Sequence, residues 1–179
     1  VGTQKDTSKK AIEVAHLYKE GVYGTVGLHP IHTNQSYHDE KELGGGAAAQ
    51  EFTSRGEDFD YEYYKELGKD GKVVAIGECG LDYYRLEEES KPKQKEVFLS
   101  HIELAKELRK PLMIHCRDAF GDLVEIVKPH IKDLVPSVVH FFTGTQDDAK
   151  KLLDLGFSFT FGGVVTFVRN YDEAIKMIP

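Results

Sequence analysis

Helical and strand patterns alternate along this chain, and this alternation restricts the fold more than any other feature of the sequence. Short apolar runs predict strands at residues 22–28, 72–76, 111–114, 138–139 and 157–161. Between them, apolar residues recur at helical spacing, as in the helix predicted to begin near Ser90 and Pro92. Strands that alternate with helices are typical of an α/β fold with parallel strands and crossover helices. Because the strands are almost continuously apolar, we expect both faces of the sheet to be covered.

The composition restricts the class of protein. With 179 residues, of which 40% are hydrophobic, the chain has the size of one domain or part of one and is too apolar to be disordered. It contains no run of about 18 apolar residues, so we expect no transmembrane segment, and its two cysteines favour a reducing, cytoplasmic compartment. A net charge of −7 argues against a protein that coats nucleic acid by charge alone. It does not exclude an enzyme that binds a phosphate through a metal ion.

Four successive predicted strands end in an ionisable residue. These residues are His29, Glu78, His115 and His140. In parallel α/β folds the ligand lies at the carboxyl ends of the strands, and in a closed barrel strand after strand points into the same site. Four such residues in succession therefore favour a barrel over an open sheet. A single histidine at a strand end is more often a hydrogen-bonded residue than a ligand. It is the group of four strand-end residues that indicates a binding site.

Glu78 carries the strongest signal, because it lies between glycines and apolar residues, where a solvated glutamate is unexpected. Burying an unpaired carboxylate is costly, so Glu78 needs a partner such as a metal ion or a guanidinium. With His115 and His140 it forms a set of two imidazoles and one carboxylate, which suits Zn²⁺, Mn²⁺ or a similar ion. Cys79 and Cys116 directly follow two of these residues. They should therefore face the helices and be buried rather than bind metal.

Arg117 lies two residues after His115 and returns to the same face of its strand, where its guanidinium could bind a phosphate. An ion pair with Asp118 or another carboxylate is an equally good interpretation. Three lysines at the start of the helix after Glu78 are more consistent with a solvated helix start than with phosphate binding; they are Lys91, Lys93 and Lys95.

A long polar stretch at about residues 31–56 is predicted to be a loop, and loops of this length are uncommon inside a compact domain. It contains four residues that could bind a second metal ion: His32, His38, Asp39 and Glu40. We give this second site little weight, because no rigid element is predicted to hold these residues.

Five short motifs follow one another along the chain. They are residues 27–30 (Gly-Leu-His-Pro), 76–83 (Ile-Gly-Glu-Cys-Gly-Leu-Asp-Tyr), 114–118 (Ile-His-Cys-Arg-Asp), 139–144 (Val-His-Phe-Phe-Thr-Gly) and 162–167 (Gly-Gly-Val-Val-Thr-Phe). In order and approximate spacing they resemble the motifs of the TatD family of metal-dependent deoxyribonucleases. The opening Val1-Gly2-Thr3 is similar to the end of the second barrel strand of that family. Each motif is short, but together they cover nearly the whole chain.

The resemblance implies a TIM-type barrel with one or two divalent metal ions (Mg²⁺, Mn²⁺ or Zn²⁺) at its top. It implies that Glu78 bridges two metals and that His115 and His140 bind the second. The implied activity is hydrolysis of phosphodiester bonds in DNA by a metal-activated water, with His29 and Arg117 as candidate contacts to the substrate phosphate. We expect a monomer whose partner is DNA and which does not bind membranes.

The sequence also departs from the family pattern. The family has a His-x-His pair on its first strand and an Asp after its last strand, and neither is found in this chain. We therefore expect residues 1–179 to form a single, incomplete barrel domain that lacks strand one, most of strand two and strand eight. The alternatives are a different amidohydrolase-type hydrolase on the same metal scaffold and a truncated, inactive scaffold protein.

Overall fold

The computed structural model of the protein describes residues 1–38, 52–84 and 88–178. The strands of this part of the chain are Gly24–Val26 (β1), Gln35–His38 (β2), Phe52–Arg55 (β3), Val73–Asp82 (β4), Leu112–Arg117 (β5), Val138–His140 (β6) and Ser158–Phe159 (β7). Five of them form a parallel sheet in the order β1-β4-β5-β6-β7. The predicted α/β architecture with parallel strands is confirmed.

Helices connect and cover these strands. They are Lys5–His16 (α1), Tyr61–Gly68 (α2), Ser90–Leu108 (α3), Phe120–Val127 (α4), Gln146–Asp154 (α5) and Asp172–Met177 (α6). Thr145 caps α5, because its side chain accepts a hydrogen bond from the backbone N–H of Asp148. Helix α4 continues beyond Val127 as a turn of 3-10 helix, Lys128–His130. Among the described helices, none has the combined length and apolarity needed to cross a membrane.

The core lies between the sheet and the helices that cover it. Val26, Ile76, Ile114 and Val139 contribute one fully buried side chain from each of four neighbouring strands. Phe98, on α3, is also fully buried and packs in the same cluster. Burial of these apolar side chains is the main stabilising contribution to the fold, and it holds the strand ends in place.

His101 ties α3 to the segment that follows β1. Its Nε2 accepts a hydrogen bond from the backbone N–H of Leu28 at 3.0 Å, and its Nδ1–H donates to the carbonyl of Val97 at 2.8 Å. Both bonds require a neutral ring, and burial lowers the pKa of His101 to about 4 because it disfavours the cation. This arrangement fixes the backbone directly before His29.

Strand β4 is longer than the sequence suggests, because it continues past Ile76 to Asp82. Gly77 and Gly80 allow this extension through backbone conformations with φ of +146° and +133°, which other residues rarely adopt. A Cβ on Gly80 would lie 2.1 Å from the carbonyl oxygen of His115, so the two strands also approach closely at this point. As a result, Glu78 lies within the strand rather than after it.

The predicted loop at residues 31–56 contains ordered structure. Strands β2 and β3 pair antiparallel, from Gln35 opposite Arg55 to His38 opposite Phe52. Below them, Nδ1 of the buried His32 is 2.9 Å from Oγ of Ser54. The polar sequence concealed this hairpin, which is held by side-chain hydrogen bonds as well as by backbone pairing. Asp39 and Glu40, two of the residues considered for a second metal site, lie outside the described residues.

Candidate metal centre

Three ionisable side chains meet at the carboxyl end of the sheet. His29 lies three residues beyond the end of β1, Glu78 lies within β4, and His115 lies within β5. Nε2 of His29 is 3.8 Å and Nδ1 of His115 is 3.5 Å from Oε1 of Glu78. One ligand atom from each residue lies within 4.8 Å of the other two, which is close enough for all three to surround one ion. Three of the four residues that the strand-end pattern selected therefore lie close together.

Glu78 occupies a protected position within this cluster. Its side chain is 14% exposed, and its backbone N–H donates to the carbonyl of Gly2 at 3.0 Å. Among the described residues, imidazoles are the only basic groups within ion-pair distance of its carboxylate. A largely shielded carboxylate that faces imidazoles rather than a lysine or an arginine has the donor chemistry of a divalent-metal site.

His115 is oriented by a second carboxylate. Its Nε2–H donates to Oδ2 of Asp82 at 2.7 Å, which leaves Nδ1 facing Glu78. Burial by itself lowers the pKa of His115, but the hydrogen bonds and negative charges of Asp82 and Glu78 outweigh burial and raise the pKa to about 9. A carboxylate behind an imidazole is a common arrangement for a metal-binding histidine. The residues present therefore fit a divalent cation.

Asp82 was missed as a functional residue by the sequence reasoning. Its side chain is almost fully buried, and its backbone is clamped by Gln94, which accepts from the Asp82 N–H at 2.8 Å and donates to the Asp82 carbonyl at 3.0 Å. The available signal was its spacing, since residues four apart in a strand point to the same face and Asp82 follows Glu78 by four.

His29 fits a hydrogen-bond donor better than a metal ligand. Its Nδ1 accepts from the backbone N–H of Ile31 at 3.3 Å. Burial lowers the pKa of His29 well below its usual range, and the charge of His115 adds to this effect. A neutral ring whose Nδ1 accepts a hydrogen bond carries its proton on Nε2. This proton points toward Glu78, into the space where a substrate phosphate is predicted.

His140 lies on the neighbouring strand, directly opposite His115 in the register of β5 and β6. Its Nδ1 is 3.0 Å from Oγ1 of Thr160, which also accepts from the backbone N–H of Phe141. His140 does not belong to the close group formed by the other three strand-end residues. Its role as the third metal ligand stays a prediction.

Arg117 is stacked rather than ion-paired. The carbon at the centre of its guanidinium lies 3.6 Å from the centroid of the Tyr84 ring. Within the described ranges, no carboxylate lies at ion-pair distance from this guanidinium, so the alternative of a pair with Asp118 was wrong. As far as the described residues show, the cation is not neutralised by a carboxylate and can bind an anionic ligand.

The interpretations of the cysteines and of the lysines agree with the structure. Cys79 and Cys116 are buried free thiols, and burial raises the pKa of each well above its usual range. The three lysines at the start of α3 each pair with a carboxylate: Lys91 with Glu88 at 2.6 Å, Lys93 with Asp58 at 2.9 Å and Lys95 with Asp122 at 2.7 Å.

Comparison with known proteins identifies the family of the chain. The sequence profile of a family described as TatD related DNase matches residues 1–179. The chain belongs to the TatD family. Among its TatD-family relatives, the uncharacterized metal-dependent hydrolase YabD of Bacillus subtilis (strain 168) is 36% identical over 181 residues, which cover 100% of this chain and 62% of YabD. The 3'-5' ssDNA/RNA exonuclease TatD of Rahnella sp. (strain Y9602) is 33% identical over 178 residues, which cover 99% of this chain and 60% of that protein.

Solved structures show the same fold. A hydrolase of the TatD family from Entamoeba histolytica superimposes with a TM-score of 0.74 at 26% identity, covering 99% of this chain and 55% of its own. The TatD homologue YJJV from Escherichia coli K12 gives a TM-score of 0.72 at 23% identity, covering 99% and 61%. The chain thus spans less than two thirds of the length of these relatives.

Proposed function

We propose that the protein containing this chain is a metal-dependent phosphodiester hydrolase that acts on DNA. The observation that carries the proposal is the pairing of the partly buried Glu78 carboxylate with Nδ1 of His115, whose other ring nitrogen is held by Asp82. A metal ion that displaces the proton from Nδ1 of His115 would meet one carboxylate oxygen and one imidazole lone pair in the same space. Metal-dependent hydrolases are among the relatives that support it.

In the proposed site, Glu78 and His115 hold one or two divalent ions, with His140 as a further ligand. A divalent ion bound there would polarise a phosphoryl oxygen and bring the pKa of a bound water toward neutrality. Asp82 keeps the proton of His115 on Nε2, so that Nδ1 is free to bind.

The substrate phosphate is bound by two further groups. His29 donates its Nε2–H to a non-bridging phosphate oxygen, because its Nδ1 is already engaged by Ile31. Arg117 adds a positive charge two residues beyond His115 on the same strand. A nucleic-acid substrate is supported by the relative from Rahnella, which is named a 3'-5' ssDNA/RNA exonuclease.

The test uses the full-length protein, stripped of metal by a chelator and reloaded with Mg²⁺, Mn²⁺ or Zn²⁺. We expect metal-dependent cleavage of DNA, and we expect Glu78→Gln to lower kcat/KM by about 100-fold or more, since even residues behind metal ligands cost 10–100-fold when lost. Glu89→Gln is the matched control, because Glu89 is an exposed glutamate at the start of α3. It should leave cleavage unchanged.

Two results would contradict the proposal. If the protein still cleaves DNA in the presence of the chelator and after Glu78→Gln, cleavage does not depend on a metal ion at this site. Metal-dependent hydrolysis of amides or lactones by a protein that leaves DNA intact would favour the other amidohydrolase-type activity.

A further inference from the structure

A cation and an aromatic ring are stacked beside the candidate metal centre. The guanidinium of Arg117 lies over the ring of Tyr84 with 3.6 Å between the guanidinium carbon and the ring centroid. Both residues are partly exposed. The three lysines at the nearby start of α3 are engaged by carboxylates, whereas Arg117 has an aromatic ring as its partner within the described residues. A guanidinium braced in this way keeps its charge and presents a flat surface.

The stacked pair is coupled to the metal centre through one carboxylate. Oδ2 of Asp82 accepts from His115, and Oδ1 of the same group accepts from the backbone N–H of Tyr84 at 3.0 Å. Asp82 and Arg117 are also paired residues in the register of β4 and β5. The pair is therefore held at a fixed position, two residues from His115 along one strand and two residues from Asp82 along the other.

We propose that Tyr84 and Arg117 form a stacking platform for an unpaired nucleobase of the substrate, next to the phosphate bound at Glu78 and His115. This inference rests on the proposed function and deepens it. Unpaired bases stack on aromatic rings and on arginine planes, whereas a base inside a duplex has both faces covered by its neighbours. In a nucleotide the base is joined to its phosphate through the sugar. A flat cationic surface beside a phosphate site can therefore contact the base as well as the phosphate. The platform favours single-stranded polynucleotide over duplex.

The first experiment compares two substrates in the full-length, metal-loaded protein. One is a single-stranded DNA oligonucleotide, and the other is its counterpart built from stable abasic nucleotides, which keeps the phosphates and removes the bases. We expect kcat/KM to be about 10-fold higher for the oligonucleotide with bases, in line with the usual effect of stacking one base. Tyr84→Leu should abolish this preference by lowering only the value for the base-containing substrate.

Two variants serve as controls for the first experiment. Tyr84→Phe keeps the ring and should keep the preference, whereas Arg117→Lys keeps the charge and loses the plane, so it should reduce the preference. Equal cleavage of the two substrates by the wild-type protein would overturn the platform. An equal loss on both substrates in Tyr84→Leu, with no change of preference in Arg117→Lys, would also overturn it.

A second measurement separates this inference from the proposed function. An oligonucleotide containing 2-aminopurine is bound to the wild-type protein in the presence of a chelator, so that no cleavage is required. Stacking of the probe should quench its fluorescence, and Tyr84→Leu should relieve the quenching. Quenching without cleavage in the metal-loaded protein would support the platform and contradict the hydrolase, whereas binding without quenching would contradict the platform alone. No binding in the presence of the chelator would also contradict the platform, and it would leave the proposed hydrolase untouched, because that activity binds the phosphate through the metal.

Discussion

Asp82 connects the candidate metal centre to the stacked pair beside it. One oxygen of its buried carboxylate accepts a hydrogen bond from Nε2–H of His115, and the other accepts one from the backbone N–H of Tyr84. A carboxylate in this position fixes the tautomer of a metal-binding imidazole and makes its free nitrogen more basic. Asp82 should therefore control metal affinity without touching the metal.

The corresponding prediction concerns Asp82→Asn in the full-length protein. An amide at this position accepts a weaker hydrogen bond from His115 and orients its ring less firmly. Metal affinity should therefore fall by about 10–100-fold. The measurement is a calorimetric titration of the metal-free protein with Mn²⁺. Asp58→Asn is the control, because Asp58 is an exposed carboxylate paired only with Lys93 among the described residues, and it should bind Mn²⁺ as the wild type does. If Asp82→Asn binds Mn²⁺ as tightly as the wild type, Asp82 does not control metal affinity.

Individual residues of the site were predictable where the chain itself carries the signal. Glu78 stood out because a carboxylate among glycines and apolar residues needs a partner, and His115 stood out as the end of a buried run. The strand-end pattern also placed His29 in this group, but the distance between His29 and Glu78 was not predictable. It depends on the register between β1 and β4, which shifts between Gly24 and Thr25.

At the scale of elements, β4 contributes most to the site, because it carries both carboxylates. Its close approach to β5 depends on glycine: at Gly80 the φ angle is +133°, and an added Cβ would lie 2.1 Å from the backbone oxygen of His115. Both the backbone conformation and the lack of space exclude a side chain there.

We expect Gly80→Ala to lower the free energy of unfolding by roughly 2–5 kcal/mol, from backbone strain and overpacking together. Gly121→Ala should change the free energy of unfolding in the opposite direction. Gly121 lies in α4 with nothing within 4 Å of an added Cβ, so alanine should stabilise the helix by up to about 1 kcal/mol. Urea denaturation of both variants measures the two effects. If Gly80→Ala is as stable as the wild type, this result would contradict the close approach of β4 and β5 at Gly80.

The elements themselves were largely predictable, since apolar runs and helical spacing identified every strand of the five-stranded sheet. The true length of β4 and the hairpin of β2 and β3 were not. Glycines normally end a strand pattern, and the hairpin has a polar sequence whose stability comes from contacts with distant residues, such as the pair of Arg55 with Asp6 at 2.8 Å.

At the scale of the whole molecule, parallel strands place chemically different side chains at one edge. His29, Glu78 and His115 are separated by 49 and 37 positions in the sequence, yet their ligand atoms meet within 4.8 Å. Parallel strands that lie side by side bring their end residues close together, and the residue types then decide the chemistry. Here a carboxylate and an imidazole with a second carboxylate behind it suit a divalent cation, and the imidazole of His29 lies beside them as a hydrogen-bond donor.

The most direct test of this account is the position of a bound metal ion. Crystals of the full-length protein are soaked in Zn²⁺, and anomalous diffraction data are collected at the zinc absorption edge. The account predicts a peak at bonding distance, about 2.0–2.2 Å, from a carboxylate oxygen of Glu78 and Nδ1 of His115. A peak elsewhere, with both of these side chains more than ~3 Å from any ion, would contradict it.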